Sequence, residues 1–309
     1  MSASRALILA AAQNQWLKER ANRYAFVRKS VSRFMPGETL DDAIAAAHEL
    51  TKRNLGTVFT HLGENIADAR EAQAVVTDYL KVLQRIHSEN LHTEISVKLT
   101  QLGLDLSEEL CEGNVRQLLA SEFADRTVWI DMESSPYVDS SLRIYRRVLA
   151  DHRNSGICLQ AYLHRTVEDV EQLLPQKPTI RLVKGAYREA ASVAMQRKAE
   201  IDTNYLNLAR KFFAEQKKQN IKRVIFATHD GPLIERITQA ALQKSLTRQD
   251  IEVQMLYGIQ RDLQERLGRG GSKSSVLIAY GTHWYAWFMR RLAERPANVW
   301  LLLRNLSSK

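Results

Sequence analysis

Eight short runs rich in valine and isoleucine recur along this chain, and they constrain its fold more than any other feature. Each run is about five residues long and is followed by a polar or glycine-containing turn, which is typical of buried strands. The stretches between the runs, roughly 20 to 40 residues long, leave room for one or two helices each. The runs occupy residues 57–60, 94–98, 128–132, 157–161, 180–184, 224–227, 251–255 and 275–279.

Strands that alternate with helices predict right-handed parallel units. Eight such units over about 250 residues favour a closed (β/α)8 TIM-type barrel over an open doubly wound sheet. We interpret residues 1–309 as one domain, with extra N-terminal helices in 1–55 packed outside a barrel formed by 56–309. A last helix is expected at about 284–295. No GxGxxG motif and no Walker-type loop occurs, so a cofactor would have to bind at the barrel mouth.

The formal net charge of +9 invites a nucleic-acid or membrane-surface interpretation. The Lys and Arg residues are interleaved with Glu and Asp, however, as in residues 18–29, and no RNA-binding motif or zinc-finger spacing accompanies them. We expect no nucleic-acid partner, whereas peripheral contact with an anionic membrane remains open. Cys111 and Cys158 lack CxxC spacing, which suits reduced thiols in the cytoplasm. No stretch approaches 18 uninterrupted apolar residues, so we expect no membrane span.

Charged and amide side chains stand at the ends of most of the predicted strands. In a barrel of this kind, chemistry takes place at the C-terminal ends of the strands. Unpaired charges there are costly, so these side chains must pair with one another or with a ligand. Arg181, in the middle of a buried run, is the least expected, and a carboxylate, phosphate or flavin would justify it. The set is Lys98, Asp131, Glu133, Gln160, Arg181, Lys184, His229 and Gln254.

Two other chemistries are open to these side chains. Lys98 or Lys184 could form a Schiff base, as in a lysine-dependent barrel aldolase. Asp131, Glu133 and His229 could in principle hold a metal ion. They lie on different runs without short ligand spacing, so we expect no metal.

The predicted last helix contributes a second polar group. Aromatic and aliphatic residues fill one face of it, while Arg290, Arg291 and Glu294 cluster together. Glu294 is four residues after Arg290 and three after Arg291, so it can hold an arginine in place. The pattern fits either a surface salt bridge or an arginine pair that binds a substrate carboxylate.

Taken together, these strings resemble the proline dehydrogenase family of the monofunctional, bacterial type, nearly from end to end. The combination of RLVKGAY with a later RRLxE is specific. The segments that carry the resemblance are RFMPGETLDDAI (33–44), HLGENI (61–66), SVKLTQLG (96–103), IDMESS (130–135), LQAYLHRT (159–166), IRLVKGAYRE (180–189), RKAEIDTNY (197–205), FATHD (226–230), EVQMLYGI (252–259) and MRRLAERPAN (289–298).

The resemblance implies a distorted (β/α)8 barrel that holds FAD non-covalently at its mouth. It implies oxidation of L-proline at C5 to Δ1-pyrroline-5-carboxylate, with electrons passed to a quinone. A separate pyrroline-5-carboxylate dehydrogenase would then oxidise the product.

The resemblance also implies roles for individual residues. By position, Asp131 and Arg181 resemble the catalytic residues beside the flavin. The expected carboxylate clamp is Lys98, Arg290 and Arg291, with Glu294 orienting the arginines, and further substrate contacts are expected from Tyr187, Tyr280 and Trp287. The expected FAD contacts are Met132, Gln160, Arg181, Val183, Lys184, Gly185, Ala186, Thr228 and His229.

The sequence departs from the family pattern at the ring end of the expected pocket. Leu277 stands where the family has a pocket tyrosine, Ala279 where it has proline, and Trp287 where it has a second tyrosine. The carboxylate end is intact by position. One hypothesis is therefore that a hydroxylated, N-substituted or differently sized proline analogue is preferred, and the alternative is neutral drift around ordinary proline.

Overall fold

The eight predicted strands form a closed parallel barrel in chain order. The structure is a computed structural model that describes residues 31–63, 66–285 and 287–289. The predicted fold class is confirmed, and each predicted run overlaps its own strand. The strands are β1 (Gly56–His61), β2 (Thr93–Val97), β3 (Val128–Ile130), β4 (Ser155–Gln160), β5 (Thr179–Val183), β6 (Arg223–Ala227), β7 (Glu252–Leu256) and β8 (Lys273–Tyr280).

Helices of the described residues precede the barrel and connect its strands. One α-helix comes before β1, and each connection from β1 to β8 contributes one more. The helices are α1 (Leu40–Thr51), α2 (Ala69–Ser88), α3 (Glu108–Leu119), α4 (Val138–Asp151), α5 (Thr166–Leu173), α6 (Lys198–Lys217), α7 (Gly231–Leu242) and α8 (Arg261–Arg269).

The strands present two different faces, because successive side chains alternate across a sheet. The outward residues, such as Ile95, Leu159 and Phe226, belong to the main hydrophobic core that packs against the helices. Inside the barrel a small separate cluster forms around Trp129, with Val58, Ile225 and Leu277. The polar residues above and below that cluster are inward-facing too, since they meet partners on non-neighbouring strands.

Helix α1 occupies an unusual place for an element that precedes the barrel. It begins at the capping box of Thr39 and Asp42, and it packs against β1 and β8. In a regular barrel the helix after β8 fills that space. Here residues 284, 285 and 287–289, which are helical, instead form a second core cluster with Leu62 and Ala279 at the ends of β1 and β8. The segment after β8 therefore lies near the mouth.

Candidate active site

At the centre of the barrel mouth, the buried Arg181 of β5 forms an ion pair with the partly exposed Asp131, the residue after β3. Arg181 is only 1% exposed, and its guanidinium donates to the Asp131 carboxylate. It also donates to Ser96 Oγ on β2 at 2.7 Å and to Gln254 Oε1 on β7 at 3.0 Å. Ser96 Oγ in turn donates to Asp131 at 2.9 Å. Four strands thus fix the position of one guanidinium.

The network keeps a positive charge at the mouth. Burial is the largest single effect and opposes the charged form of Arg181, but the Asp131 carboxylate, together with smaller contributions from Cys158 and Glu94, outweighs it and raises the pKa of the guanidinium. The Asp131 side chain is 23% exposed, whereas that of Arg181 is 2% exposed. Asp131 is therefore the member of the pair that a ligand at the mouth can reach first.

Glu133 and Gln160 form the neighbouring part of the rim. The Glu133 carboxylate accepts from Thr100 Oγ1 at 2.8 Å and from Thr100 N at 3.1 Å. Burial raises the pKa of Glu133 against the effect of Thr100 and the nearby Lys98. Gln160 is 2% exposed and donates to the carbonyls of Met132 and Glu133, both at 3.3 Å. Its Oε1 has no hydrogen-bond partner among the described residues. A buried acceptor in that state fits a ligand that donates a hydrogen bond.

Lys184, directly after β5, sits in a compact group of charges. Its ammonium pairs with Asp202 of α6 and with Asp230, the latter at 2.8 Å. Lys198 pairs with the same two carboxylates. A Schiff-base lysine needs its nitrogen free to reach a carbonyl, and here two carboxylates hold the Lys184 Nζ. This arrangement disfavours the aldolase alternative at Lys184.

Acidification should reveal the pairing of Asp230. Burial tends to raise its pKa, but Lys184 and Lys198 outweigh burial and hold the pKa below the ordinary value of 3.8. The stabilisation is therefore complete above that value and is lost as the pH falls below it. Between about pH 5 and pH 3 we expect the native protein to lose roughly 1 kcal/mol more unfolding free energy than Asp230→Asn. Asparagine preserves the N-cap of α7, so the difference between the two proteins reports the contribution of the Asp230 charge alone. Urea titrations at both pH values measure it. Equal losses in the two proteins would contradict the pairing.

Residues 185–197, directly after β5, form what we call the strap, which lies at the rim of the mouth against the segments that follow β3 and β4. Gly185 begins it with φ +121°, and a Cβ there would lie 2.2 Å from the Tyr162 ring. Glu189 accepts from Ser135 Oγ at 2.6 Å and from Ser135 N at 2.8 Å, which ties the strap to the β3–α4 connection. Ala194 bridges to Leu163 beyond β4. The strap is therefore held at both ends.

Most of the predicted site residues come together at this end of the barrel. His229 Nε2 accepts from Leu256 N at 2.9 Å, and Thr228 Oγ1 accepts from Asp230 N at 3.2 Å. The predicted residues that lie within about four residues of the C-terminal ends of strands β2 to β6 are Lys98, Asp131, Met132, Gln160, Arg181, Val183, Lys184, Gly185, Ala186, Tyr187, Thr228 and His229. Their individual roles stay predictions.

Other predicted residues lie elsewhere. The side chain of Tyr280 is on the outer face of β8, in the main core, with its ring 6.2 Å from that of Phe59. The alternation of strand side chains turns it away from Arg181, so the structure does not support direct substrate contact by Tyr280. Trp287 is 8% exposed and packs in the second core cluster near the mouth. Arg290, Arg291 and Glu294 lie outside the described residues.

Two residues that hold the network were missed by the sequence analysis. Ser96 bridges Arg181 and Asp131, and Trp129 lies beneath the Arg181 guanidinium, 5.0 Å from it. A period-two count back from Lys98 would have placed Ser96 on the inner face. The described residues contain no group of three potential metal-binding side chains, and Asp131, Glu133 and His229 each engage different protein partners.

Comparisons with known proteins identify the family to which this barrel belongs. The family model described as "Proline dehydrogenase" matches residues 43–301. The chain is 36% identical over 306 residues to Proline dehydrogenase 1 of Bacillus subtilis (strain 168), a match that covers 99% of each chain. It is 34% identical over 281 residues to the Proline dehydrogenase of Deinococcus radiodurans, covering 89% of each.

A solved structure agrees with the fold. Proline utilization A (PutA) from Bdellovibrio bacteriovorus, inactivated by N-propargylglycine, superimposes with a TM-score of 0.81 at 22% identity. That match covers 94% of this chain and 36% of the PutA chain. The family model spans most of the sequence and the curated relatives match it nearly end to end, so this chain belongs to the proline dehydrogenase family.

Proposed function

We propose that this chain oxidises L-proline at C5 to Δ1-pyrroline-5-carboxylate, with FAD as the hydride acceptor and a quinone as the next electron acceptor. The observation that carries the proposal is the ion pair of the buried Arg181 with Asp131 at the mouth of a barrel of this family. The curated relatives, which are named proline dehydrogenases, support L-proline as the substrate.

The residues at the mouth fit a flavin. Gln160 offers a buried acceptor that the described protein leaves unsatisfied, and flavin rings carry an N–H donor. Gly185 leaves the strap backbone without a Cβ at the edge of the mouth. Arg181 supplies a fixed positive charge, which favours the negatively charged reduced form of a flavin. We propose Gln160, Arg181 and Lys184 as the principal contacts, together with Met132, Val183, Gly185, Ala186, Thr228 and His229.

The chain's own contribution is binding and orientation. FAD, when bound, supplies the hydride acceptor. Hydride leaves the carbon next to the ring nitrogen, so the substrate amine must be neutral at that moment. We propose that Lys98 and the arginine pair Arg290 and Arg291, oriented by Glu294, hold the substrate carboxylate. Fixing one end of a small molecule in this way removes most of the entropic penalty of alignment.

The cellular setting follows from the same reaction. The pyrroline product calls for a further oxidation, which we propose is carried out by a separate pyrroline-5-carboxylate dehydrogenase. Among the described residues, no helix is both long and apolar enough to span a bilayer. We propose a cytoplasmic enzyme that contacts the membrane surface only peripherally, where its net charge of +9 would favour anionic lipids and a quinone is accessible.

The visible absorption spectrum of the purified protein tests the proposal directly. We expect an oxidised-flavin spectrum that bleaches on anaerobic addition of L-proline. A protein that is colourless and cannot be reconstituted with FAD would contradict the proposal.

A flavin that stays oxidised with L-proline would favour a proline analogue as substrate. Leu277 and Trp287 motivate this second candidate, since they replace two tyrosines that would pack against the proline ring. A panel of hydroxylated, N-substituted and differently sized cyclic amino acids then identifies the substrate. Clear preference for unmodified L-proline would exclude the analogue hypothesis.

Removing either clamp arginine should weaken substrate binding while flavin stays bound. For Arg290→Ala or Arg291→Ala we expect KM for L-proline to rise by about 10² or more, because a charged hydrogen bond to the carboxylate is lost in ground and transition states alike. Steady-state kinetics and the flavin-to-protein absorbance ratio measure the two effects. Loss of FAD with unchanged substrate affinity would reverse the assignment.

A further inference from the structure

Trp129 separates two charged layers inside the barrel. Its ring centroid lies 5.0 Å from the Arg181 guanidinium and 5.6 Å from the Arg223 guanidinium. Arg223 pairs in register with Thr179, which precedes Arg181 on β5, so the two arginines stand at different levels of the barrel. Its indole N–H donates to Glu94 at 2.7 Å. The ring is fully buried, and a Cβ on Gly156 would come within 2.7 Å of it. The barrel is therefore built to hold an indole at this level.

The lower layer is rich in carboxylates. Arg223 pairs with Glu94 of β2 and with Glu252 of β7, and it donates to Thr127 Oγ1 at 3.0 Å. Two carboxylates thus face one guanidinium, so among these three side chains one negative charge is in excess. The side chains of Glu94 and Glu252 are only 12% and 11% exposed, so water screens them weakly.

The upper layer holds the cation that this negative charge attracts. Arg181 has a single carboxylate partner among the described residues, Asp131, and that carboxylate is partly exposed at the mouth. Glu94 is close enough to contribute to the electrostatic environment of Arg181. An arginine side chain is long and flexible, so a smaller ring between the layers, without the indole N–H bond to Glu94, would let its head group move towards Glu94 and Glu252.

We propose that Trp129 is a positioning residue, a spacer that keeps the Arg181 guanidinium at the level of Asp131 and out of reach of the lower carboxylates. The aromatic face also stabilises the cation that it supports. The consequence for function rests on the proposed flavin chemistry: Arg181 acts on the cofactor only while it is held at the mouth.

The test compares Trp129→Phe with the native protein in two independent measurements. The first is a crystal structure of the variant, in which we expect the guanidinium to have moved from Asp131 towards Glu94. The second is the reduction potential of the bound flavin, which we expect to become more negative because a positive charge has receded from it. The rate of flavin reduction by L-proline should fall by about tenfold, with KM changed by no more than about twofold.

Two further variants separate positioning from general damage. Adding Glu94→Gln to Trp129→Phe removes the competing charge, so it should return Arg181 to Asp131 and restore most of the potential. Phe213→Leu is the matched control, since Phe213 is fully buried on α6 and packs against Phe226 outside the barrel. It should lower stability without moving the potential. If Trp129→Phe does not fold, Trp129→Tyr retains more side-chain volume and is compared with the native protein in the same way.

The outcomes are distinct for the two proposals. If Arg181 remains on Asp131 in the Trp129 variant, or if Glu94→Gln gives no rescue, the spacer role is wrong even though the flavin chemistry stands. If the native protein carries no flavin, the proposed function fails, while the crystal structure still decides whether Trp129 positions Arg181.

Discussion

Asp131→Ala is expected to lower the free energy of unfolding by about 3 kcal/mol, because it leaves a buried guanidinium without its carboxylate. Arg181 is fully buried, and Asp131 is its one carboxylate partner among the described residues. Ser96 and Gln254 still accept from the guanidinium, but neither carries charge. Urea denaturation at neutral pH measures the loss.

Asp139→Ala is the matched control. Asp139 also pairs with an arginine, Arg165 at 2.7 Å, but their side chains are 64% and 40% exposed. An exposed pair contributes about 0–1 kcal/mol, and Arg165 keeps a second partner in Asp169. A loss at Asp131 no larger than the loss at Asp139 would mean that water or neighbouring dipoles compensate the buried charge. Flavin content should also fall in Asp131→Ala, since the position of Arg181 depends on the carboxylate.

The strand pattern was sufficient to predict the barrel from sequence. Each run was Val- and Ile-rich because its outward side chains face helices, and this burial leaves a local signal in the sequence. The bounds shifted by a few residues, most clearly at β8, which extends over Lys273–Tyr280 instead of 275–279. The runs also proved parallel and closed in chain order, as alternation with helices implies.

The position of α1 could not be predicted in the same way. The sequence predicts extra helices within residues 1–55, outside the barrel, but it holds no local sign that the helix capped by Thr39 packs against β1 and β8. The packing of α1 there depends on the segment after β8 packing elsewhere. Trp284 donates to Glu38 at 2.8 Å, a contact between positions 246 residues apart. Two segments far apart in the chain thus compete for the same surface of the barrel, and neither a hydrophobic period nor a motif shows which of them occupies it.

The site was predicted unevenly for a related reason. Charged residues at strand ends, such as Asp131 and Arg181, stood out because they are rare in buried runs. Ser96 and Trp129 did not stand out, since serine and tryptophan are unremarkable in a strand and acquire their roles only from residues across the barrel. Tyr280 shows the opposite case, in which a matching position turned out to face the outer core.

The strap depends on a glycine whose replacement has a large expected effect. At Gly185 the backbone has φ +121°, which L side chains rarely adopt, and a Cβ would overlap the Tyr162 ring at 2.2 to 2.5 Å. The strap is also fixed downstream by Glu189 on Ser135 and by the bridge of Ala194 to Leu163. The backbone therefore has little freedom to relieve the overlap by moving.

Gly185→Ala is accordingly expected to cost about 3 kcal/mol of unfolding free energy, roughly half from the strained backbone and half from displacement of Tyr162. Gly271→Ala separates the two contributions, because Gly271 has φ +87° with nothing within 4 Å of its Cβ position, so it should lose only about 1–2 kcal/mol. Thermal and urea denaturation of both variants give the comparison, and FAD titration of the apoprotein reports on the strap itself. Equal losses at the two glycines would show that Tyr162 yields without cost. A larger loss at Gly185 with weakened FAD binding would place the tight contact between strap and ring among the features that shape the cofactor site.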